Sequence, residues 1–342
     1  MKNKNGIGAG TSRRGFLRHS AAWSAAAIAA TRTKTAPAAD STIADASDLP
    51  IIDTHQHLWD LDLFRLPWVR GNAKLNRSFL TADYLQATRG LQVVKAVYME
   101  VAVDTDQQRE EAEHVLELCR SDDHPTVAAV ISGRPAEAGF DDDIQPYAGN
   151  PYIKGVRQIL HAGTPAGFCL QPTFVRSMKR LGDLQMCFDL CMRANELVDG
   201  ARLADLCPET RFVLDHCGNA NVQWYRGETS KEEATIRQRE QWRRDLAEIA
   251  KRKNVVCKIS GIIARVTPDD WQPDDLAPIV NHCLDQFGPE RVMFASDWPV
   301  CTLGASLAQW VRALQQIVAD RPFEQQQKLF HDNAERFYEL GT

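Results

Sequence analysis

The sequence predicts an α/β protein, specifically a slightly distorted (β/α)8 barrel with a C-terminal helix. Short apolar segments alternate with amphipathic helical segments throughout residues 50–342, as in successive βα units. There are eight such apolar segments, the number of strands that closes a barrel. No Gly-x-Gly-x-x-Gly motif begins any of the helical segments, so an open dinucleotide-binding sheet has no support.

The strand candidates are short and rich in β-branched and other apolar residues. The first runs from Ile51 towards His57 and Trp59. The other seven follow at intervals that leave room for a helix between them: Val93–Val101, Thr126–Ser132, Ile153–Ile159, Gln185–Cys191, Arg211–Asp215, Val255–Ile259 and Arg291–Ala295.

Between the strand candidates, apolar residues recur at three- and four-residue steps, which predicts helices with one apolar stripe. The clearest examples are Ala112 to Cys119, Leu276 to Phe287 and Leu307 to Val318. A last segment, from Phe323 to Leu340, is predicted to form a helix across the end of the barrel.

The N-terminal segment, residues 1–39, has the pattern of an export signal. Ser12 to Arg18 reads Ser-Arg-Arg-Gly-Phe-Leu-Arg, a twin-arginine motif, and is followed by an apolar stretch from Ala21 to Ala30 and a cleavable Ala36-Pro37-Ala38. Two adjacent arginines also occur by chance, but the order of the three parts favours a signal. At roughly ten residues the apolar stretch is too short to span a bilayer. We therefore expect the twin-arginine export machinery as a partner, a periplasmic location, no membrane attachment after cleavage, a linker at residues 40–49 and a barrel domain at residues 50–342.

Composition excludes several classes of function. The net charge is −5 and no block of lysine and arginine occurs, so nucleic-acid binding is not expected. The nine cysteines are scattered and mostly lie in apolar segments, which indicates core residues and not a disulfide framework or a zinc ribbon.

Polar side chains follow almost every strand candidate. In a barrel, active sites lie at the C-terminal ends of the strands, and an unpaired buried charge is costly, so this placement predicts a functional site. The residues are His55 and His57, Glu100, Arg134, Arg157, Asp189 or Arg193, His216, Lys258 with Ser260, and Asp297.

His55 and His57 are two residues apart, so in a strand their imidazoles lie on one face. With His216 and Asp297 they suit one divalent metal, zinc or manganese, which would activate water, and the candidate ligands are His55, His57, Glu100 and Asp297. Without a metal, Asp297 would act as general base while the histidines and an arginine hold a carbonyl oxygen. Asp297 and His216 are thus the candidate catalytic residues, although a lone buried histidine is often structural.

Four further residues are candidates for substrate binding. Arg157 and Lys258 can bind a carboxylate or a carbonyl oxygen of a substrate, or can instead form ion pairs within the site. Trp59 and Trp298 lie near the strand ends, where an indole can stack on a sugar ring or simply pack a loop. The polar segment from Asn219 to Arg239 is either a lid over the mouth or an extension of the next helix.

These motifs resemble the amidohydrolase superfamily, and within it the lactonase-like branch that includes fuconolactonase, rhamnonolactonase and pyrone-dicarboxylate lactonase. The resemblance covers about Leu49 to Leu340 and implies a hydrolase that opens a small cyclic ester such as a sugar-acid lactone. It implies a site of His55, His57, His216 and Asp297, in a branch where some members use no metal. It is carried by Ile52 to Trp59, Tyr98 to Val101, Ile153 to Arg157, Val213 to Gly218, Lys258 to Gly261 and Arg291 to Pro299.

Three departures from that pattern leave alternatives open. Lys154 precedes the expected end of the fourth strand, so a two-metal site is not expected, and the fifth strand ends without a histidine. After His216 the chain reads Gly218-Asn219-Ala220-Asn221, where related lactonases carry a basic residue and a proline. The alternatives are a metal-dependent decarboxylase or amide hydrolase of the same superfamily, and a non-catalytic sugar-acid binding protein.

Overall fold

Eight parallel strands form one sheet in the order of the sequence, as the barrel prediction requires. The structure is a computed structural model that describes residues 49–341. The predicted signal segment and all but Leu49 of the predicted linker lie outside the described residues. The strands are β1 (Ile51–Gln56), β2 (Val93–Met99), β3 (Thr126–Ser132), β4 (Ile153–Ile159), β5 (Cys187–Cys191), β6 (Phe212–Leu214), β7 (Val255–Ile259) and β8 (Val292–Phe294).

The barrel closes where the end of β1 meets the segment that follows β8. Gln56 and Trp298 form an isolated parallel bridge. The backbone N–H of His57 donates to Trp298 O at 2.7 Å, and that of Asp297 donates to His55 O at 2.9 Å. Closure therefore fixes the backbone of both histidines beside the backbone of Asp297.

Helices cover the outside of the sheet. They are α1 (Thr81–Ala87), α2 (Gln108–Cys119), α3 (Phe140–Ile144), α4 (Pro172–Asp183), α5 (Leu197–Leu206), the single turn α6 (His216–Asn219), α7 (Glu233–Ile249), α8 (Pro273–Phe287), α9 (Leu307–Ile317), α10 (Phe323–Gln327) and α11 (Asn333–Tyr338). Along the described part of the chain, no helix has the length and apolar character needed to cross a membrane.

Two apolar clusters hold the fold together. The larger lies between the sheet and the surrounding helices. The smaller fills the barrel interior and includes Val97, Val130 and Met293, with Tyr338 of α11 packed against it. The predicted C-terminal helix is confirmed, although it is divided into α10, a π-helical turn at Lys328–Asp332, and α11. This segment closes the end of the barrel opposite the strand ends that carry the histidines.

The predicted strands are confirmed, and four of them, β1, β2, β6 and β8, end earlier than expected. We predicted strands to Asp215 and to Ala295, whereas β6 ends at Leu214 and β8 at Phe294. Shortly after each strand the chain adopts a left-handed backbone, with φ of 55° at His216 and 57° at Asp297. Few residues other than glycine adopt this conformation, and such strain is concentrated at functional sites.

Candidate active site

The two histidines that end β1 lie side by side, as their spacing predicted. His55 Nε2 is 3.1 Å from His57 Nε2. His57 Nδ1 lies 2.9 Å from the carbonyl oxygen of Met99, which can only accept, so this nitrogen carries the proton. In the neutral imidazole, the Nε2 of His57 is then the acceptor, and it faces into the site.

Asp297 brings a carboxylate to the same point. Its Oδ1 is 3.4 Å from His57 Nε2 and 3.7 Å from His55 Nε2. Asp53 fixes this end of the barrel, because it accepts hydrogen bonds from the Ser296 N–H at 2.8 Å and from the Tyr84 hydroxyl at 2.8 Å.

His216 reaches the site from just beyond the end of β6. Phe212 and Leu214 of that strand point towards the helices, and the left-handed turn at His216 redirects its ring. The ring centroid lies 4.7 Å from that of His55, and Nδ1 lies 2.9 Å from Ser260 Oγ. A ligand atom of His216 thus lies within 4.8 Å of those of His55 and Asp297.

Gly261 provides the space for the His216 ring. Its φ is +71°, and a Cβ at this position would lie 2.5 Å from Cβ and Cγ of His216. Any larger residue would therefore displace the imidazole or strain the backbone.

Asp215, which the sequence analysis did not select, is the buried carboxylate beneath the histidines. Its Oδ1 lies 3.4 Å from His55 Nδ1 and 3.5 Å from Lys258 Nζ, and its Oδ2 lies 3.7 Å from Arg157 Nη1. Burial alone would raise the pKa of Asp215, but Lys258 and His55 hold that pKa well below its usual value. An ionised Asp215 favours the proton on His55 Nδ1 and leaves His55 Nε2 as an acceptor.

The imidazoles of His55 and His216 are neutral at neutral pH. Burial lowers the pKa of His55 well below its ordinary value, although Asp215 opposes this. Burial also lowers the pKa of His216. Neutral imidazole is the form that binds a metal or accepts a proton.

With neutral imidazoles, three acceptor atoms face one another. They are Nε2 of His55, Nε2 of His57 and Oδ1 of Asp297, separated by 3.1, 3.4 and 3.7 Å. Tetrahedral zinc bonds of about 2.0–2.1 Å place neighbouring ligand atoms roughly 3.3–3.4 Å apart. The donor set therefore fits one divalent cation.

Arg157 and Glu100 form an ion pair at the edge of this group. Arg157 Nε donates to Glu100 Oε1 at 2.6 Å, and Arg157 Nη1 lies 3.1 Å from His55 Nε2. Glu100 Oε2 accepts from the Ala102 N–H at 2.7 Å and from the Ser132 hydroxyl at 2.9 Å. These three partners occupy the Glu100 carboxylate, so the structure gives no support to Glu100 as a metal ligand and places His216 with His55 and Asp297 instead.

Lys258 is fully buried inside the barrel. Its ammonium donates to Asp189 Oδ2 at 2.5 Å and lies 5.9 Å from the centre of the Tyr338 ring. Burial alone would lower the pKa of Lys258, but the carboxylates of Asp189 and Asp215 raise it, so the ammonium stays charged. These contacts correspond to the ion-pair alternative for Lys258 and not to direct contact with a substrate.

A cavity of about 400 Å³ opens above the three acceptors. Of the predicted residues, His57, Arg157, His216 and Asp297 line it. Trp59 and Trp298 do not: both are buried, and they pack edge-on against Phe79. Their predicted role in stacking on a substrate is not supported by this packing.

Sequence reasoning missed four residues in this cavity. Trp68 is 42% exposed, contacts Trp59 edge-on at 5.6 Å and presents an indole to the cavity. His161, Asn219 and Arg265 line the opposite side. None of them was selected as a site residue, although Asn219 begins the segment that was predicted to be a lid or a helix extension. Trp68, a tryptophan in the loop after β1, also carried a signal that could have been used.

Lys154, the lysine that excluded a two-metal site, lies far from these residues. Its ammonium donates to the carbonyl oxygen of Glu339 at 3.0 Å, in the segment that closes the opposite end of the barrel.

Comparison with known proteins places this site in a family context. A family model described as amidohydrolase matches residues 52–340. An uncharacterized protein of Sinorhizobium fredii is 26% identical over 315 residues, which cover 86% of this chain and 100% of that protein. An L-fucono-1,5-lactonase of Burkholderia multivorans is 29% identical over 265 residues, covering 75% of this chain and 84% of the relative.

A solved structure shares the fold. It is an amidohydrolase from Burkholderia multivorans with bound zinc, and it is 24% identical, with a TM-score of 0.72. The match covers 85% of this chain and 100% of that one.

Proposed function

Because this chain belongs to the amidohydrolase family and is a hydrolase, we propose that it opens a small cyclic ester, specifically a sugar-acid lactone, by attack of water on the ring carbonyl. The observation that carries the proposal is the carboxylate of Asp297 beside two imidazoles at the base of an open cavity. The L-fucono-1,5-lactonase relative supports the choice of a lactone.

Asp297 is the general base of the proposed reaction. It lines the cavity and, within 4 Å, has only histidine nitrogens as ion-pair partners among the described residues, so no cation holds its proton-accepting oxygen. It takes a proton from water as the water oxygen bonds to the carbonyl carbon. The carbon–oxygen bond of the ring then breaks, and the proton held by Asp297 passes to the ring oxygen. The product is the open hydroxy acid.

When water attacks, negative charge develops on the carbonyl oxygen, and hydrogen-bond donors close to Asp297 must stabilise it. The guanidinium of Arg157 lines the cavity, and Glu100 holds it in place. Burial alone would lower the pKa of Arg157, but Glu100 raises it, so the cation persists. His216 is the second donor when Ser260 donates to its Nδ1 and leaves the proton on Nε2. Preorganised donors of this kind contribute strongly to catalysis.

One divalent metal, zinc or manganese, fits the same residues. His55, His57, His216 and Asp297 would hold it, and when bound it would polarise the carbonyl and lower the pKa of water. Arg157 Nη1 lies 3.1 Å from His55 Nε2, so Arg157 and a cation compete for the same lone pair. The zinc in the related structure supports this reading.

The two alternatives predict other features. The superfamily decarboxylase would need a histidine in the fifth strand, and β5 (Cys187–Cys191) contains none. A non-catalytic sugar-acid binding protein would not require a carboxylate facing two neutral acceptors, an arrangement that is costly unless it serves a cation or a proton.

A panel of γ- and δ-aldonolactones tests the proposal directly. We expect purified protein to hydrolyse at least one of them above background, either as isolated or after addition of zinc or manganese, with a chelator-treated sample as the comparison. If no lactone is hydrolysed under any of these conditions, the proposed function is wrong.

We further propose that the protein acts in the periplasm after twin-arginine export. The Ser12 to Arg18 motif supports this. Replacing Arg13 and Arg14 by lysine should leave the protein in the cytoplasmic fraction of expressing cells. An unchanged distribution between the fractions would contradict export by this route.

A further inference from the structure

A second chamber adjoins the active-site cavity. It has a volume of about 490 Å³. His161, Asn219 and Arg265 line both spaces, so the two are continuous. The inner cavity, at about 400 Å³, already falls in the range of small-ligand pockets, roughly 300–1,000 Å³, so a single sugar ring does not need the outer chamber.

The outer chamber is lined by side-chain amides. Besides Asn219 these are Asn195, Asn221, Gln238 and Gln241, with Trp224 beside them. Three of the amides, those of Asn219, Asn221 and Gln238, come from the segment that was predicted to be either a lid or a helix extension. Asn221 lies in its loop, whereas Gln238 lies in α7, as does Gln241. An amide donates through nitrogen and accepts through oxygen, which matches hydroxyl groups that do both.

Several of these amide groups are available to a ligand. Asn221 and Gln238 use their oxygens to accept from the Gln223 N–H and from the Trp224 indole, and their NH₂ groups have no acceptor among the described residues. Asn195 has no side-chain hydrogen bond within the described chain. The chamber therefore offers unused donors and acceptors at several points of its wall.

Charge in the outer chamber is weak. No aspartate or glutamate lines it, and Arg193 is neutralised by Glu196 at 2.8 Å. Arg265 stands at the junction, where Asn219 Oδ1 accepts a 2.6 Å hydrogen bond from it, and it has no carboxylate partner within 4 Å in the part of the chain that the structure describes. A neutral, hydroxyl-rich group suits such walls better than a cation or an apolar chain.

We propose that the outer chamber is a subsite for a second sugar unit, so that the preferred substrate is a lactone carrying a hydroxyl-rich extension. This inference rests on the proposed lactonase function. The lactone ring occupies the inner cavity beside Asp297, and the extension passes the Arg265–Asn219 pair to reach the amides.

Paired substrates test it. Cellobiono-1,5-lactone and glucono-1,5-lactone present the same ring with and without a second sugar. We expect kcat/KM to be at least tenfold higher for the disaccharide lactone. The double variant Asn195→Ala/Gln238→Ala should lose that preference while its kcat/KM on the glucono-lactone stays within twofold of the wild type. Equal rates on the two lactones, or an equal fall on both in the variant, would overturn the subsite.

Two further variants serve as controls for the double variant. Asn195→Trp fills the chamber instead of removing contacts and should also abolish the preference. Gln223→Ala changes an amide of the same segment that does not line the chamber, and it should behave as wild type.

A binding measurement separates this inference from the proposed function. If neither lactone is hydrolysed, the lactonase proposal fails, and calorimetry with the acids cellobionate and gluconate still decides the subsite. Tighter binding of cellobionate that the double variant loses would support it. Equal binding of both acids, or no binding of either, would overturn it.

Discussion

Asp215 Oδ1 lies 3.4 Å from Nδ1 of His55, and the position of this buried carboxylate orders the histidines above it. It is ionised, fully buried and close to both Lys258 and Arg157. Because it favours the proton on Nδ1, it directs the lone pair of His55 Nε2 towards His57 and Asp297. The site thus depends on a residue that does not reach the cavity.

Replacing Asp215 by asparagine should disturb that arrangement. A neutral amide holds the His55 tautomer less firmly, and partners of this kind typically contribute about 10–100-fold in activity or metal affinity. We expect a fall of that size in kcat/KM for the best lactone. Asp189→Asn is the control, because it also removes a carboxylate from Lys258 but contacts neither histidine. Equal losses in both variants would show that the effect acts through Lys258.

Breaking the buried Glu100–Arg157 ion pair should lower the stability of the protein, because it leaves an unpaired charge in the interior. Removing one partner of a buried ion pair typically costs about 3–5 kcal/mol. Arg157→Met should therefore lower the free energy of unfolding by that amount in urea titrations. The double variant Glu100→Gln/Arg157→Met should recover more than half of the loss, because no charge remains unpaired. A double variant as unstable as Arg157→Met would contradict the pairing.

Glu111 should make stability depend on pH. Burial and the neighbouring Glu100 raise its pKa to about 7. The Ser132 hydroxyl lies 2.9 Å from Glu100 Oε2 and 3.0 Å from Glu111 Oε2, but it has only one proton to donate. When Glu111 is protonated, it can donate to the Ser132 oxygen while the Ser132 hydroxyl donates to Glu100.

The sign follows from the raised pKa. The stabilisation from protonated Glu111 is complete below the unfolded pKa of about 4.5 and is lost as the pH rises through about 7. In Glu111→Gln the loss of unfolding free energy between pH 5 and pH 8 should be smaller than in wild type. Glu113→Gln, on the exposed face of α2, should keep the wild-type slope. An unchanged slope in Glu111→Gln would refute the assignment.

Substitutions of Trp68 and Trp59 should have different effects, the first on substrate binding and the second on stability. Trp68 is 42% exposed at the cavity, whereas Trp59 is 2% exposed behind it. Trp68→Ala should raise KM for the lactone by about fivefold with little change in melting temperature, since it removes roughly 1 kcal/mol of ring contact. Trp59→Ala should mainly lower the melting temperature by leaving a cavity. A reversed pattern would return the stacking role to Trp59.

Features that depend on hydrophobic periodicity, and on which residues end the strands, could be predicted from the sequence. All eight strands, the closing C-terminal helix and the meeting of His55, His57, His216 and Asp297 agree with the structure. The sequence left open whether Arg157 and Lys258 bind a substrate or form ion pairs within the site. It could not decide between these, because the contacts of Lys258 with Asp189 and of Arg157 with Glu100 join residues 69 and 57 positions apart. Asp215 lies two residues after Val213, which faces the barrel interior, so its position follows the alternation of β6 and was overlooked beside His216.

The sequence carried the least information about which loop residues line the cavity. Arg265 and Trp68 lie in loops that approach the cavity only because the barrel brings their neighbouring strands together. Trp59 and Trp298 lie within the motifs and were the candidates for substrate binding, but closure of the barrel buries both side chains.

The most direct test of the account is the rate of lactone hydrolysis by Asp297→Asn compared with wild type. The substitution keeps the size of the side chain and removes the base, so we predict a fall in kcat/KM of about 10²–10⁴-fold or more, with an unchanged melting temperature. A folded Asp297→Asn protein that hydrolyses the lactone at the wild-type rate would contradict the central claim.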